Sequence, residues 1–384
     1  MGHLRRPPDG PRRRRPGAVR ARRGAGRHRR HHQDHGRLRG PLVRAGGRVS
    51  RRALERDEHH GFGRPQRRTK PRTKDRPDYS DAEVGLVITV DRGRYSVDLD
   101  NEHGHRRVLA AKARQLGRKG VIVGDRARVV GDTSGAEGTL ARIVEVTERE
   151  TVLRRTADDN DPFERPIVAN ADQLAIVTAL ADPPPRMGMI DRILVASYDA
   201  GLEPLLVLTK ADLAPPDELL AAYAGLDVEA IVVEPGADLT RLRALLAGHR
   251  TVFVGHSGVG KSTLVNALIP DAHRATGVVN EVTGRGRHTS TSAIALELPE
   301  PGGWVIDTPG VRSFGLSHVT TDSVLAAFDD LYELVDECPR GCKHDSTAPE
   351  CALDAAVAEG RLRPERLESF RRMEKVWTSP AAWE

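Results

Sequence analysis

Apolar positions change rhythm three times along the 384-residue chain. Residues 1–79 show almost no apolar periodicity; Arg, Gly, Pro and His dominate. Such a segment cannot bury enough surface to offset its ordering entropy, so a disordered basic leader is predicted. From Glu83 short β-prone runs follow at 84–90, 95–99, 106–111, 126–130 and 140–146. Turn signals separate them: Asp91-Arg92-Gly93, Glu102-His103-Gly104, Gly124-Asp125 and Gly131-Asp132. Five short strands over residues 80–150 predict a small β-barrel, with an OB-fold first and another small barrel second.

From about residue 171 strand and helix alternate. Runs 174–178, 204–209, 229–233 and 251–254 are continuously apolar, and 190–198 has helical spacing. That rhythm predicts an α/β domain with a mostly parallel sheet over residues 151–335. Helical patterns return after Thr321 and again from Pro364 to the end, which predicts a helical module at 336–384. The expected fold class is multi-domain: barrel, α/β domain, C-terminal module.

Charge sharpens the division. The formal net charge is +6, yet residues 1–80 hold 26 Lys+Arg against 7 Asp+Glu, a net of +19, so residues 81–384 carry −13. The basic average that would suggest nucleic acid comes almost wholly from the leader. The leader reads either as an RNA-binding arm or as upstream sequence from a misassigned start. Three cysteines cannot all pair, so reduced thiols in a cytoplasmic protein are expected. No apolar run reaches the roughly eighteen residues that would span a membrane, and no membrane role is expected.

The run Gly255-His256-Ser257-Gly258-Val259-Gly260-Lys261-Ser262, followed by Thr263, fits G-x-x-x-x-G-K-[ST] between an apolar strand and a helical stretch. Glycines let backbone N–H groups close on phosphate oxygens, and the helix presents its positive end. Lys261 can reach the β- and γ-phosphates, and Ser262 can ligate Mg²⁺. Trp304-Val305-Ile306-Asp307-Thr308-Pro309-Gly310 is an apolar strand ending in D-x-P-G. There Asp307 can hold a magnesium shell and Gly310 can donate to a γ-phosphate.

Thr209-Lys210-Ala211-Asp212 resembles the N/T-K-x-D guanine motif of GTPases. A carboxylate at Asp212 can accept from the N1 and N2 edge of guanine, which adenine cannot match. Thr209 stands where Asn is commoner. Val233-Glu234-Pro235-Gly236 is the candidate for the far side of the base. The guanine motif precedes the phosphate loop here, the reverse of the ordinary order, and so the chain resembles a circularly permuted GTPase. Between phosphate loop and D-x-P-G lies a Gly- and Thr-rich stretch, 283–291, suited to an ordering switch. Thr289, with Thr291 as competitor, is the candidate Mg²⁺ ligand in it.

All three cysteines fall between 338 and 351, with His344 among them. Cys338, Cys342, His344 and Cys351 make a Cys₃His set suited to one structural Zn²⁺.

Taken together these phrases resemble the ribosome small-subunit-dependent GTPase A family (RsgA, also called YjeQ), over about residues 81–375. The resemblance rests on Gly255 to Asn266, Gly286-Arg287-His288-Thr289-Ser290-Thr291, Asp307 to Gly315 and Cys342-Lys343-His344. It implies a GTPase that binds GTP with Mg²⁺ and acts on the small ribosomal subunit late in its maturation, with rRNA stimulating hydrolysis. A monomer is expected. Val311 occupies the place after D-x-P-G where many GTPases carry a water-orienting Gln. His288 is therefore the candidate to position water, alongside Lys261 and Thr289; packing or an RNA phosphate is its other reading. Rivals to the enzyme are a GTP-switched RNA-binding module and a P-loop kinase or ATPase, against which Asp212 argues. Candidate rRNA contacts are Arg106, Arg107, Lys112, Arg114, Arg118 and Lys119 on the barrel. Near the end they are Arg361, Arg363, Arg366, Arg371 and Arg372.

Overall fold

The computed structural model describes residues 78–101, 104–117, 120–155, 165–270, 293–308, 314, 316 and 318–378. They all belong to one unit, Lys74–Glu384. Leader residues 1–77, Arg118, Lys119, the stretch with His288, Thr289 and Thr291, and Gly310 lie outside the described residues.

Five strands close the barrel: β1 (Glu83–Asp91), β2 (Arg94–Asn101), β3 (Gly104–Lys112), β4 (Arg126–Gly131) and β5 (Ala141–Val146). Their order is β1-β2-β3-β5-β4, and β4 returns to pair with β1. This is the Greek-key closure of an OB-fold, with β3 and β5 parallel. Alternation along each strand fills the inside with Val87, Tyr95, Val97, Leu99, Val108, Ala110, Ala127, Val129 and Ile143. The hairpin between β1 and β2 turns on Arg92 and Gly93, both at positive φ, 43° and 85°. That is why Gly ends the Asp91-Arg92-Gly93 signal.

A hairpin of β6 (Val152–Arg155) and β7 (Arg165–Ala169) follows. Its short strands and interrupted pattern left it unread in the sequence. Then come β8 (Gln173–Ala179), α1 (Met187–Asp199), β9 (Glu203–Thr209), α2 (Asp217–Tyr223), β10 (Glu229–Val233), α3 (Thr240–Leu246), β11 (Arg250–Val254) and α4 (Lys261–Leu268). After them lie β12 (Ile294–Glu297) and β13 (Trp304–Asp307). The sheet runs β10-β9-β8-β11-β13-β12. All neighbours are parallel except β12, which runs antiparallel to β13.

The parallel strands are apolar throughout because both faces are covered. Leu174, Ile176, Leu206, Leu208, Val252 and Ile306 face one core with α1. Ala175, Val177, Leu205, Val207, Phe253 and Val305 face the other, with Leu242 of α3 and Leu264 of α4. The last strand, β12, also meets the barrel, through Thr89 and Ile294.

Four helices finish the described chain: α5 (Thr321–Leu325), α6 (Asp329–Val335), α7 (Ala352–Ala358) and α8 (Pro364–Thr378). Leu367, Phe370 and Met373 of α8 pack into the first α/β core, giving the helical period its cause. The C-terminal arginines expected to contact rRNA each have an acidic partner within the chain. Arg361 pairs with Glu337 and Glu359, Arg363 with Asp227, Arg371 with Asp354, and Arg372 with buried Asp191. Arg366 is 8% exposed, pairs with Asp330 and lies 4.7 Å over the Phe328 ring. Arg363, Arg366 and Arg372 thus tie the module to the α/β domain, while Arg361 and Arg371 pair within the module.

On the same helix, Glu374 is 5% exposed. Burial, with Asp345 adding to it against Arg371, pushes its carboxyl up to about 7. Between about pH 4.5 and 7 the folded chain keeps a proton that the unfolded chain has released. Stability should therefore fall as pH rises through that window. Glu374→Gln should flatten the fall and raise the urea midpoint at about pH 8, as unfolding curves at several pH values will show.

Candidate active site

The carboxyl ends of β8, β9, β10, β11 and β13 line one edge of the sheet. Ala179 pairs with Thr209, Thr209 with Val233, Val254 with Ile176 and Phe253 with Asp307. At β11 the chain's connections part: α1, after β8, packs on one face, and α4, after β11, on the other. Such a switch point opens a crevice outside the strand ends.

The phosphate loop lies in that crevice. It leaves β11 at Gly255, where an added Cβ would stand 2.3 Å from the Val177 carbonyl oxygen. Gly258 and Gly260 sit at φ 86° and 91°, conformations open to glycine. Gly260 precedes the first turn of α4, so Lys261 and Ser262 begin the helix and its unpaired N–H groups face the loop. Ser257, Gly258, Ser262 and Thr263 are exposed, and Val259 is buried as the loop's anchor. His256 Nδ1 lies 2.8 Å from the Ser257 carbonyl and donates to it. Lys261 forms an ion pair with Asp307 at the end of β13. Buried Thr308 donates to the Phe253 carbonyl at 3.0 Å, fixing the start of D-x-P-G to the phosphate-loop strand. Past it, the buried Arg192 of α1 donates to the Phe314 carbonyl at 3.0 Å. Neither Thr308 nor Arg192 carried a sequence signal, because each acts through a backbone carbonyl far away in the chain.

Thr209 ends β9 and is buried. Its hydroxyl donates to the Val259 carbonyl at 2.6 Å, with the Thr178 carbonyl 3.2 Å away. The guanine-type motif is thus bonded to the phosphate loop, and Thr supplies the bond. Lys210 takes φ 56° and donates to the Asp182 carbonyl. The Leu213 N–H closes a turn on Lys210, leaving Asp212 exposed at the crevice edge. Glu234 to Gly236 leave β10 beside them. The structure therefore brings Thr209, Lys210, Asp212, Gly255 to Thr263 and Asp307 to one edge. His288, Thr289 and Gly310 are outside the described residues.

The four Cys₃His donor atoms lie within 4.8 Å of one another. Cys338 Sγ is 3.5 Å and Cys351 Sγ 3.9 Å from His344 Nδ1. Zn–S bonds of about 2.3 Å place tetrahedral sulfurs about 3.8 Å apart, so the set fits such an ion. Burial holds the His344 imidazole below its ordinary value, against the pull of Asp322, and so in the neutral form a metal needs. Burial pushes the Cys351 thiol up to about 11, and a cation would reverse that. The Ala352 N–H donates to Cys338 Sγ at 3.3 Å, and Arg371 donates to the His344 carbonyl at 3.0 Å.

A family profile described as RsgA GTPase matches residues 146–317. A Pseudomonas aeruginosa (strain LESB58) protein called small ribosomal subunit biogenesis GTPase RsgA is 41% identical over 247 residues, 62% of this chain and 71% of its own length. The chain belongs to the RsgA GTPase family. An Azotobacter vinelandii protein of the same name is 44% identical over 260 residues, 65% of this chain and 73% of its own. Crystal structures agree: YjeQ from Thermotoga maritima superposes with TM-score 0.58 and 26% identity over 77% of this chain and 99% of that one. YloQ, described as a circularly permuted GTPase, shares the fold, with TM-score 0.56 and 22% identity over 80% of this chain and 98% of its own. The permutation expected from motif order is seen in the sheet, where β11 enters between β8 and β13.

Thr209→Val keeps the side chain's shape and removes its hydrogen bond, leaving the Val259 carbonyl unpaired. Loss of about 1.4 kcal/mol, roughly ten-fold in GDP affinity, is expected by calorimetric titration, with the melting temperature lowered by a few degrees.

Proposed function

We propose that this RsgA-family chain hydrolyses GTP under the stimulus of the small ribosomal subunit, late in that subunit's maturation. The observation that carries the reading is the convergence of three separated segments on one sheet edge: Thr209 to Asp212, Gly255 to Thr263, and Asp307. The curated relatives, named for small-subunit biogenesis, supply the partner.

On this reading Asp212 accepts from the guanine N1 and N2 hydrogens, and Lys210 covers the base with its stem. Backbone N–H groups of Gly258, Val259, Gly260 and Lys261 cradle the β-phosphate. Lys261 is paired with Asp307 at the end of β13. With GTP bound, Lys261 turns to the β- and γ-oxygens. Ser262, Thr289 and, through its shell, Asp307 are the residues that would hold Mg²⁺, which supplies counter-charge to the phosphate oxygens when bound. Water attacks the γ-phosphorus, the bond to the bridging β–γ oxygen breaks, and GDP and phosphate leave. Gly310 donates to the γ-phosphate and His288 orients the water, a task Val311 cannot perform. Cys338, Cys342, His344 and Cys351 would hold one structural Zn²⁺, fixing the loops before α7.

For rRNA the barrel offers cations that form no ion pair among the described residues. Arg106 is paired with Glu83 and Arg107 with Glu297, and Lys112 donates to the Gly117 carbonyl. Arg92, Arg94, Arg114 and Arg142 are exposed and form no ion pair among the described residues. Arg94, Ala111 and Arg142 occupy one row across β2, β3 and β5. That row supports phosphate contact better than the arginines of the C-terminal module do. No helix among the described residues is long and apolar enough to cross a membrane. We read the working unit as a monomer in the cytoplasm, since one chain carries barrel, nucleotide site and thiol cluster.

Purified small subunits should raise GTP turnover by at least about ten-fold, both for the full chain and for one starting at Ser80. His288→Ala should lose most of that stimulation while keeping GDP affinity. Unstimulated turnover in the full chain would favour a GTP-switched RNA-binding module. Metal analysis of the purified chain should find one zinc per molecule. Cys351→Ser should remove it and lower the melting temperature.

A further inference from the structure

Barrel and GTPase sheet meet at β12, and the charged groups of that seam take no part in the chemistry above. Ile294 pairs with Thr89 of the barrel on one side and with Asp307 of the nucleotide site on the other. At the far end of β12, Glu297 lies 3.4 Å from His105 Nε2 and 3.4 Å from Arg107 Nη2, both on β3. His105 Nδ1 lies 3.0 Å from Asp98 Oδ2 on β2. Asp98 is 2% exposed, and its Oδ1 has no hydrogen-bond partner among the described residues.

A neutral imidazole carries one N–H and can donate to Asp98 or to Glu297, not to both. Carboxylate oxygens at both ring nitrogens suit the imidazolium, which holds β2 and β12 together. A shared metal ion suits the arrangement less well, because the two acids flank opposite nitrogens. Charged groups nearby among the described residues are Arg107 on Glu297, and Arg126, Glu148, Glu150 and Arg250 around the groove that Asp98 and His105 share. β12 has only four residues and pairs with β1 of the barrel on one side and with β13 on the other. Glu297 ties β12 to the barrel a second time, through His105 and Arg107 of β3.

We propose that Asp98, His105 and Glu297 form a proton-dependent latch that couples the nucleotide site to the barrel, with His105 and Glu297 as positioning residues for subunit-stimulated hydrolysis. The stimulation itself rests on the function proposed above; the latch is tested without the ribosome.

The test is hydrogen exchange by mass spectrometry on the full chain, with GDP and with a non-hydrolysable GTP analogue. At about pH 6 the wild-type chain should change protection in β1 to β3 when the nucleotide is exchanged. Glu297→Gln should abolish that barrel change, while the β13 change and GDP affinity stay within about two-fold of wild type. At about pH 8 the wild-type barrel response should shrink several-fold, and His105→Lys, charged at both pH values, should keep it. A barrel response unaltered in Glu297→Gln, or absent from the wild type at both pH values, overturns the latch. Subunit-affinity measurements on the same proteins address the partner separately. A wild-type chain that binds no small subunit removes the ribosomal reading and leaves the exchange result to judge the latch.

Discussion

The phosphate loop leaves the sheet against β8 with no room for a side chain, the Val177 carbonyl lying where a Cβ at Gly255 would point. This close approach brings the loop within reach of the strand ends on both sides. From β9 comes Thr209, whose hydroxyl takes the Val259 carbonyl. From β13 come Asp307, paired with Lys261, and Thr308, bonded to the Phe253 carbonyl. Each contact is made by the last residue of a strand or the one just after it. Moving β11 outward would break them together, so the site's geometry is a property of sheet packing more than of any one loop.

Circular permutation is tolerated for the same reason. Strands β10, β9, β8, β11 and β13 form a parallel array whose faces are both covered, and its stability depends on neighbours in space. Opening the chain between other elements changes connections and leaves those neighbours in place. The freed ends carry additions. The barrel precedes β8 and touches the sheet at β12, while the C-terminal helices cover the α1 face. Both additions thus border segments next to the phosphate site: β12 pairs with β13 at Asp307, and α1 holds Phe314 through Arg192.

Charge shows the limit of counting along a chain. Arg361, Arg363, Arg366, Arg371 and Arg372 look like a basic patch, yet each has an acid of the same molecule against it. Arg366 is buried against Phe328, where an unpaired cation would carry a heavy desolvation penalty. The barrel divides likewise: Arg106 and Arg107 are paired, and Arg94 and Arg142, in one row, form no ion pair among the described residues.

The amino-acid sequence by itself determined the five barrel strands, the parallel α/β rhythm, the phosphate loop, the guanine-type motif and their permuted order. These are legible because they are local: alternation, continuous apolar runs and Gly at positive φ act within a few residues. It also brought together Cys338, Cys342, His344 and Cys351, whose spacing is short. Only the tertiary structure decided the hairpin of β6 and β7, the strand β12 and the bonds of Thr308 and Arg192. It alone decided which arginines stay free, and the meeting of Asp98, His105 and Glu297. Glu297 lies 192 positions from His105 in the chain, and no periodicity reports a distance set by the closing of a barrel against a sheet.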